Sequence, residues 1–337
     1  MSSDSRTIVD LRSDTVTQPT PAMRAAMADA EVGDDLAGED PTVNRLQTLS
    51  AALLGYEAAL YVATGTMANQ LAIRAHTRPG TDVICAPRSH VYRYEDAGAA
   101  RNAGVQMRPI VWSDLGFELL GNQHHLPDVS MIAIENTVMA ESGRPLDRTH
   151  IDPITAAASR FGVPVHCDGA RIWNAAIALD TSPRELVDGC DSMMFCLSKG
   201  LGAPIGSVLC GTREFVERAR ADKHRMGGGW RQAGIVAAAG IVALETMVDR
   251  LGDDHERANL FAVALAQRWP DAVDPHDVLT NVVCARSAAM PRDVIAQLGD
   301  RGILAATIDA QTTRFIFHFD VDDDGLERAI GALDLIG

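Results

Sequence analysis

Short apolar runs alternate with segments of helical periodicity along residues 42–240. Segments 42–54 and 66–76 have the spacing of amphipathic helices. Seven apolar runs have the length of buried strands, and they lie at residues 58–62, 82–86, 106–110, 131–135, 163–168, 192–197 and 206–210. Near-continuous apolar strands separated by helices are typical of a mostly parallel sheet covered on both faces. The pattern therefore predicts an α/β fold built on a mostly parallel, seven-stranded sheet.

The pattern changes near residue 249. Residues 230–248 form a long apolar segment that predicts a buried helix, and charged residues follow it. A smaller α+β unit is predicted beyond this point, with helices at 253–268, 291–301 and 324–335 and strands near 278–285 and 314–319. Residues 1–20 are polar and interrupted by proline, which disfavours a helix interior. The predicted division is an N-terminal arm at 1–20, a large domain at 21–248 and a small C-terminal domain at 249–337.

Two charged residues stand at the ends of predicted strands. Lys199 follows the run 192–197 and enters a glycine-rich turn, and Asp168 ends the run 163–168. Taken singly, a strand-end lysine is an ordinary solvated residue and an Asp-Gly pair is an ordinary turn. Because the carboxyl ends of parallel strands meet at one crevice, we expect both side chains to face one ligand. A lysine that forms a Schiff base and an aspartate that keeps a pyridine nitrogen protonated together indicate pyridoxal 5'-phosphate (PLP).

Further residues become candidates beside this pair. Gly65 and Thr66 lie between a predicted strand and a helix, where glycine and the first helical amides are able to bind a phosphate. His90 follows another predicted strand and could stack on a planar cofactor and transfer protons, although a surface-loop histidine is the plainer interpretation. Arg171 and Arg314 are of the residue type that binds a carboxylate with two parallel hydrogen bonds.

Charge and cysteine usage narrow the class of partner and the compartment. The net charge is −15, without a basic tail or stripe, which argues against nucleic acid and anionic membranes as partners. The longest apolar stretch, 233–244, is shorter than the roughly twenty residues needed to span a bilayer. The six cysteines show no C-x-x-C spacing and the N-terminus has no apolar signal region. We therefore expect a cytoplasmic enzyme with a small-molecule substrate.

Two patterns that suggest metal sites are rejected. Segment 320–325 imitates the start of an EF-hand loop, but Gly331 stands where the bidentate glutamate belongs. His124 and His125 have no cysteine or carboxylate partners at ligand spacing. No metal site is predicted.

Several segments in the same order along the chain carry a resemblance to a known family. They are Asp10-Leu-Arg-Ser-Asp-Thr-Val-Thr, Val32-Gly-Asp-Asp, Asp40-Pro-Thr-Val-Asn, Thr64-Gly-Thr-x-Ala-Asn, Ile134-Glu-Asn-Thr, Asp168-Gly-Ala-Arg, Leu197-Ser-Lys-Gly-Leu-Gly-x-Pro-x-Gly and Gly227-Gly-Gly-x-Arg-Gln-x-Gly. The chain resembles the low-specificity L-threonine aldolases, which are fold-type-I PLP-dependent enzymes. The resemblance spans nearly the whole chain. It implies a homotetramer, arranged as a dimer of dimers.

The resemblance also implies how the cofactor is held. Lys199 would form the Schiff base, Asp168 would pair with the pyridine nitrogen and His90 would stack on the ring. Arg231 would reach the phosphate from a neighbouring subunit. The residues implied in cofactor binding are Gly65, Thr66, His90, Asp168, Arg171, Lys199 and Arg231.

The implied reaction is a retro-aldol cleavage of L-threonine, L-allo-threonine and related β-hydroxy-α-amino acids to glycine and an aldehyde. Ser13, Arg171 and Arg314 would hold the substrate carboxylate. His90, acting through water, is the candidate base that removes the β-hydroxyl proton. The residues expected to be catalytic are thus Lys199, His90 and Asp168.

Two departures from the family pattern leave alternatives open. Val138 follows Glu-Asn-Thr, where family members often carry a histidine, and Trp230 stands where methionine is common. Either change could alter the preferred aldehyde or the stereochemical preference. A β-eliminating lyase or an amino acid racemase on the same scaffold is the alternative within PLP chemistry. A silent PLP-binding protein or an α/β binding module is the alternative outside it.

Overall fold

The computed structural model describes residues 8–120 and 125–336 of the chain. Residues 1–7 of the predicted arm, and His124 of the rejected metal pattern, lie outside the described residues. The strands are β1 (Val9–Asp10), β2 (Ala58–Val62), β3 (Asp82–Cys85), β4 (Gln106–Pro109), β5 (Val129–Glu135), β6 (Val165–Asp168), β7 (Ser192–Cys196), β8 (Ser207–Gly211), β9 (Val282–Arg286), β10 (Ile303–Leu304), β11 (Ala306–Asp309) and β12 (Thr312–Ile316).

The helices of the described ranges surround these strands. They are α1 (Pro21–Ala28), α2 (Pro41–Leu54), α3 (Gly65–His76), α4 (His90–Arg93), α5 (Gly98–Ala103), α6 (Leu115–Leu119), α7 (Arg148–Phe161), α8 (Ile172–Ala178), α9 (Pro183–Leu186), α10 (Arg213–Arg225), α11 (Gly234–Thr246), α12 (Leu251–Arg268), α13 (Val294–Gly299) and α14 (Asp323–Asp334). Within 8–120 and 125–336, no helix is both long enough and apolar enough to cross a bilayer.

The predicted seven-stranded sheet is confirmed. Its strand order is β2-β8-β7-β6-β5-β3-β4, and the ladders from β7 to β4 are all parallel. Strand β8 runs antiparallel to both of its neighbours. Because β3, β5, β6 and β7 run in one direction, the residues that follow them meet at a single edge of the sheet. This edge carries the site described below.

The long helix predicted at 230–248 is wrong at its start. Helix α11 begins at Gly234 and ends at Thr246. The backbone carbonyls of Trp230 and Arg231 accept hydrogen bonds from the amides of residues 36 and 35, at 3.1 and 3.0 Å. These carbonyls hold a loop instead of a first helical turn, although the segment is apolar enough to continue the helix.

The N-terminal segment packs on the C-terminal unit. Strand β1 pairs in parallel with β10, and Val9 and Leu11 are buried in the same apolar core as Phe261 and Phe315. That unit also contains an antiparallel sheet of order β11-β12-β9, in which β11 was not predicted because its side chains alternate between half-buried and exposed. We propose the division of the chain at residue 248, with β1 added to the edge of the smaller unit.

The glycines that follow Lys199 are required by the turn between β7 and β8. Gly202 and Gly206 have φ angles of +79° and +116°, which side chains on L-residues rarely adopt. A Cβ at Gly206 would also overlap the ring of Tyr61, whose hydroxyl donates to the carbonyl of Ile205 at 3.1 Å. The turn therefore brings Lys199 back toward the sheet only because these two positions have no side chain.

We expect Gly206→Ala to lower the free energy of unfolding by at least about 2 kcal/mol, because it combines an unfavourable φ with an overlap in a packed core. Gly331→Ala is the matched control. Gly331 lies in α14 with nothing within 4 Å of an added Cβ, so alanine there is neutral or stabilising. Urea unfolding of both variants measures the difference, and equal stability of the two would contradict the requirement at Gly206.

Candidate active site

A cavity of about 210 Å³ lies at the carboxyl edge of the sheet. Its walls come from the ends of β5, β6 and β7, the start of α3 and the loop before α4. The lining residues are Thr64, Gly65, Thr66, Asn69, His90, Glu135, Thr137, Met139, Asp168, Ala170, Arg171, Met194, Cys196, Ser198 and Lys199. Six of the predicted site residues are thereby brought together. Ser13, Arg231 and Arg314 do not line the cavity.

Asp168 is the last residue of β6 and is 4% exposed. Its Oδ2 accepts a hydrogen bond from Asn69 Nδ2 at 2.7 Å, and its Oδ1 accepts one from the Ala170 amide at 3.1 Å. Both oxygens therefore have donors, which favours the ionised carboxylate in a buried position.

Lys199 stands three residues beyond the end of β7 and is half-buried. Its backbone carbonyl accepts from Thr17 Oγ1 at 3.0 Å and from the Gly202 amide at 2.8 Å, so the main chain is fixed from two sides. The side chain reaches the cavity, and within the described ranges its ammonium group makes no salt bridge. A fixed backbone with a side chain free of ion pairs suits a residue that forms a covalent bond with a ligand.

The amino end of α3 forms the third wall. Thr64 caps the helix by accepting from the Met67 amide at 3.0 Å, which leaves the first amides of α3 directed at the cavity. A Cβ at Gly65 would lie 2.8 Å from Met194 Cε and 2.9 Å from Cys196 Sγ, so only glycine fits this approach. Helix amino ends with free amides bind phosphate.

The three walls together fit PLP. The cofactor needs an amine for its aldehyde, a carboxylate for its pyridine nitrogen and N–H donors for its phosphate. The cavity has one of each, in Lys199, Asp168 and the α3 amino end. Thr137 Oγ1 is a buried polar atom of the same cavity without a hydrogen-bond partner among the described residues, which is the condition of a group that awaits a ligand.

His90 is held by two carboxylates. Its backbone amide donates to Glu135 Oε2 at 2.6 Å, and its Nδ1 lies 3.1 Å from Glu95 Oε1. Burial acts to lower the pKa of His90, but the hydrogen bond to Glu95 and the charges of Asp168 and Glu95 outweigh it, and the pKa is raised. Because Nδ1 is engaged, Nε2 is the ring nitrogen available to a ligand.

Glu95 and Glu135 are functional residues that the sequence reasoning did not single out. Glu95 is 5% exposed and also accepts from Asn69 Nδ2 at 2.8 Å and Gln70 Nε2 at 2.7 Å. Burial and the charge of Asp168 raise the pKa of Glu135 to about 7, against two backbone hydrogen bonds that lower it. The signal for Glu135 was its place at the end of a predicted strand, in the Glu-Asn-Thr segment.

Arg171 is paired with a residue that was also missed, Asp14. Arg171 Nε and Nη2 donate to the two oxygens of Asp14 at 2.8 and 2.5 Å, and the carboxylate is completely buried. Burial acts to raise the pKa of Asp14, but the Arg171 guanidinium outweighs it and the pKa falls to about 2. Arg171 thus lines the cavity with two of its three nitrogens already in use.

Three predicted residues lie away from the cavity lining. Ser13 Oγ accepts from the Thr15 amide at 3.2 Å, and Arg314 Nη2 donates to the Arg12 carbonyl at 3.1 Å, so these two neighbour each other through the N-terminal segment. Arg314 Nε is buried without a partner among the described residues. Burial and the nearby charge of Arg171 lower the pKa of Arg314.

Arg231 has a different environment. Its side chain is 60% exposed and its Nη1 lies 3.2 Å from Asp34 Oδ2 in the same chain. Trp230, which was expected to add bulk to the pocket, packs instead against Tyr61 with ring centroids 5.3 Å apart. Val138 is likewise absent from the cavity lining, because its backbone pairs with Arg144, whose carbonyl accepts its amide at 2.8 Å. Thr137 and Met139 form that wall.

Comparison with known proteins agrees with this arrangement. Residues 10–288 match the family model described as beta-eliminating lyase. The low-specificity L-threonine aldolase 1 of Arabidopsis thaliana is 37% identical over 93% of this chain and 92% of its own. The low specificity L-threonine aldolase of Escherichia coli strain K12 is 37% identical over 95% of this chain and 96% of its own. The solved threonine aldolase of Leishmania major has the same fold, with a TM-score of 0.81, 18% identity and coverage of 97% and 98%.

Fold and site together define a fold-type-I PLP-dependent lyase, as the sequence predicted. Within that class, the chain belongs to the low-specificity L-threonine aldolases of the beta-eliminating lyase family.

Proposed function

We propose that this protein cleaves L-threonine, L-allo-threonine and related β-hydroxy-α-amino acids to glycine and an aldehyde. The observation that carries the proposal is the single cavity in which Lys199, Asp168 and the amino end of α3 converge. The relatives named above as low-specificity L-threonine aldolases support the substrate class.

In this proposal the cofactor is bound at three points. Lys199 Nζ holds the aldehyde carbon, Asp168 holds a proton on the pyridine nitrogen, and the amides of Gly65 and Thr66 bind the phosphate. His90 lies against the ring face. Arg231 completes phosphate binding from a neighbouring subunit, which its exposed position outside its own cavity supports.

The substrate carboxylate selects the bond that breaks. Arg171 has Nη1 left over from its pair with Asp14, and the guanidinium of Arg314 lies close enough to Arg171 for their charges to repel. We propose that a carboxylate bound between these two groups, with Ser13 as a third contact, relieves that repulsion. Holding the carboxylate there turns the Cα–Cβ bond perpendicular to the cofactor ring.

The remaining steps move one proton and one electron pair. His90 Nε2, through a water molecule, takes the proton of the β-hydroxyl as the aldehyde carbonyl forms. Bound PLP supplies the electron sink for the pair released from the Cα–Cβ bond. A proton then replaces that bond at Cα, which gives glycine.

We also propose a cytoplasmic homotetramer, assembled as a dimer of dimers. The six cysteines are unpaired in the structure and five of them are buried, which supports a reducing compartment. Light scattering of the purified holoenzyme tests the assembly, and a monomer active at assay concentration would contradict it.

The experiment that tests the function is a product analysis with L-threonine and L-allo-threonine. Glycine and acetaldehyde in equal amounts are expected from both. Ammonia with a keto acid would instead indicate a β-eliminating lyase, an alternative favoured by the description of the family model. D-threonine or its epimer without glycine would indicate a racemase. A purified protein that gains no visible absorbance with added PLP would remove the enzymatic proposal altogether.

We expect Glu95→Gln to move the acid limb of the kcat/KM pH profile by about one unit to lower pH. The hydrogen bond and charge of Glu95 raise the pKa of His90, and glutamine removes that charge. Glu245→Gln is the control, because Glu245 pairs with Arg45 on the surface. An unchanged acid limb in Glu95→Gln would show that a group other than His90 sets it.

A further inference from the structure

A line of buried polar side chains runs from the cavity into the interior, behind Asp168. It begins with Asn69, which is 2% exposed and whose Nδ2 donates to both Asp168 Oδ2 and Glu95 Oε1, at 2.7 and 2.8 Å. An amide nitrogen has two hydrogens and no acceptor, and a carboxylate accepts only, so these two contacts fix the orientation of the amide. The Asn69 carbonyl oxygen must therefore point away from the cavity, toward His166.

His166 is 1% exposed and its Nε2 lies 3.1 Å from Asn69 Oδ1. Because the amide oxygen is an acceptor, Nε2 must carry the hydrogen. Burial lowers the pKa of His166 to about 4, so the ring is neutral near pH 7 and its Nδ1 has no hydrogen. Nδ1 is then an acceptor, and it lies 2.8 Å from Ser192 Oγ.

The same reasoning continues for two more residues. Ser192 has one hydroxyl hydrogen, which it donates to His166, so its oxygen accepts from His76 Nε2 at 2.8 Å. Burial, helped by the charge of Arg218, lowers the pKa of His76 to about 3, and its ring stacks on Phe215 with centroids 4.5 Å apart. Every donor from His76 to Asn69 thus points in one direction, and that direction ends on Asp168.

The fold places these residues by simple periodicity. His166 and Asp168 are two positions apart on β6 and share one face of the sheet. Asn69 and His76 are seven positions apart on α3, which is two helical turns on the same face. Ser192 opens β7 and is the register partner of His166. Helix α3 therefore lies over β6 with its polar stripe facing the polar positions of the strand.

We propose that His166, Ser192 and His76 are positioning residues that act through Asn69 to hold the Asp168 carboxylate ionised and directed at the cofactor ring. The inference rests on the proposed role of Asp168 at the pyridine nitrogen. Hydrogen bonds in one direction polarise each other, so each link strengthens the donor that Asp168 finally receives. None of the three residues lines the cavity, and the reaction itself assigns them no task.

Buried histidines that merely satisfy each other are the competing interpretation. The two differ in what a break in the chain does. Under the competing interpretation, loss of a link lowers stability alone. Under ours, the Asn69 amide is left free to turn or weaken, and the protonation of the bound cofactor changes with it.

The test compares four variants of the holoenzyme. His166→Leu breaks the chain, and His166→Gln keeps a donor toward Asn69 and an acceptor toward Ser192. Ser192→Ala removes one hydroxyl, and it carries the test if His166→Leu does not fold. Cys167→Ala is the matched control, because Cys167 lies between His166 and Asp168 on β6 but packs into the apolar core on the other face. The measurements are thermal unfolding, the dissociation constant of PLP, the pH titration of the visible absorbance, and kcat and KM for L-threonine.

We expect His166→Leu to lower kcat by about 10- to 100-fold, the worth of a hydrogen bond to a buried charge, with KM nearly unchanged. Its visible absorbance should titrate at a different pH from the wild type, Ser192→Ala should show a smaller change in the same direction, and His166→Gln should recover most of both. The proposal is overturned if the folded broken-chain variants match Cys167→Ala in kcat and in the absorbance titration. If wild type binds no PLP, or Asp168→Asn keeps full activity, the proposed function fails first and the proposal with it.

Discussion

Replacing Lys199 with alanine is expected to abolish the visible absorbance of bound PLP and to lower kcat by at least about a thousandfold. Loss of a covalent participant has effects of this size or larger, because the other residues of the site cannot act without it. Lys199 lines the cavity from a main chain fixed by Thr17 and Gly202, so truncation of its side chain leaves the turn in place. Absorbance spectra and glycine production are measured on the same preparation with PLP in excess.

The control for this variant is Lys199→Arg, which keeps a positive charge and most of the side-chain length. A guanidinium stays protonated at neutral pH and does not form a Schiff base, so the arginine variant should be as inactive as the alanine variant. If Lys199→Arg were active, the charge of the residue would matter and the covalent role would be wrong. If Lys199→Ala kept the absorbance band, another amine would hold the cofactor.

We expect Asp14→Asn to lower the free energy of unfolding by about 3–5 kcal/mol, the second large effect. Asp14 is completely buried against Arg171, and asparagine leaves the guanidinium buried without a counter-charge. Urea unfolding of the apoprotein measures the change. Asp34→Asn is the control, since Asp34 pairs with the exposed Arg231 and should lose less than about 1 kcal/mol. Equal losses in the two variants would contradict a stabilising role for the buried pair.

The same pair predicts a pH dependence. Arg171 lowers the pKa of Asp14 from 3.8 to about 2 in the folded protein, so the unfolded chain binds a proton first as the pH falls. The contribution of Asp14 to stability is therefore complete above pH 3.8 and is lost as the pH falls toward 2. The difference in stability between wild type and Asp14→Asn should narrow over that interval. A difference that does not change with pH would mean that the ionised carboxylate is not what stabilises the fold.

The sheet could be predicted because its strands are apolar along their whole length and are separated by helices. Strand β2 has the predicted bounds, and the strand ends that hold Asp168 and Lys199 lie within one residue of those expected. The small unit was harder, since β11 is a short hairpin strand with few buried positions. The start of α11 was missed because its loop is held by contacts with residues 35 and 36, and no local pattern reports such contacts.

The site was predictable where chemistry lies next to a strand end. Lys199, Asp168, His90 and Gly65 each follow or precede an apolar run, and the topology brings these positions together. Asp14 and His166 were not predictable in the same way. Asp14 meets Arg171 across 157 positions of sequence, and His166 has its partners on α3 and β7. Their roles depend on pairing over distance, and one sequence read locally has no record of it.

The pairing of β1 with β10 has a consequence for how the protein is made. Val9 leaves the ribosome early, yet its partner Ile303 is among the last residues translated. Asp14, four positions beyond β1, is also contacted by Asn281 Nδ2 at 3.4 Å, so its surroundings are completed late as well. A nascent chain must therefore keep its first segment free while almost three hundred residues are added. Activity is a property of the finished chain, and a product truncated within its last forty residues would lack part of its active site as well as its C-terminal unit.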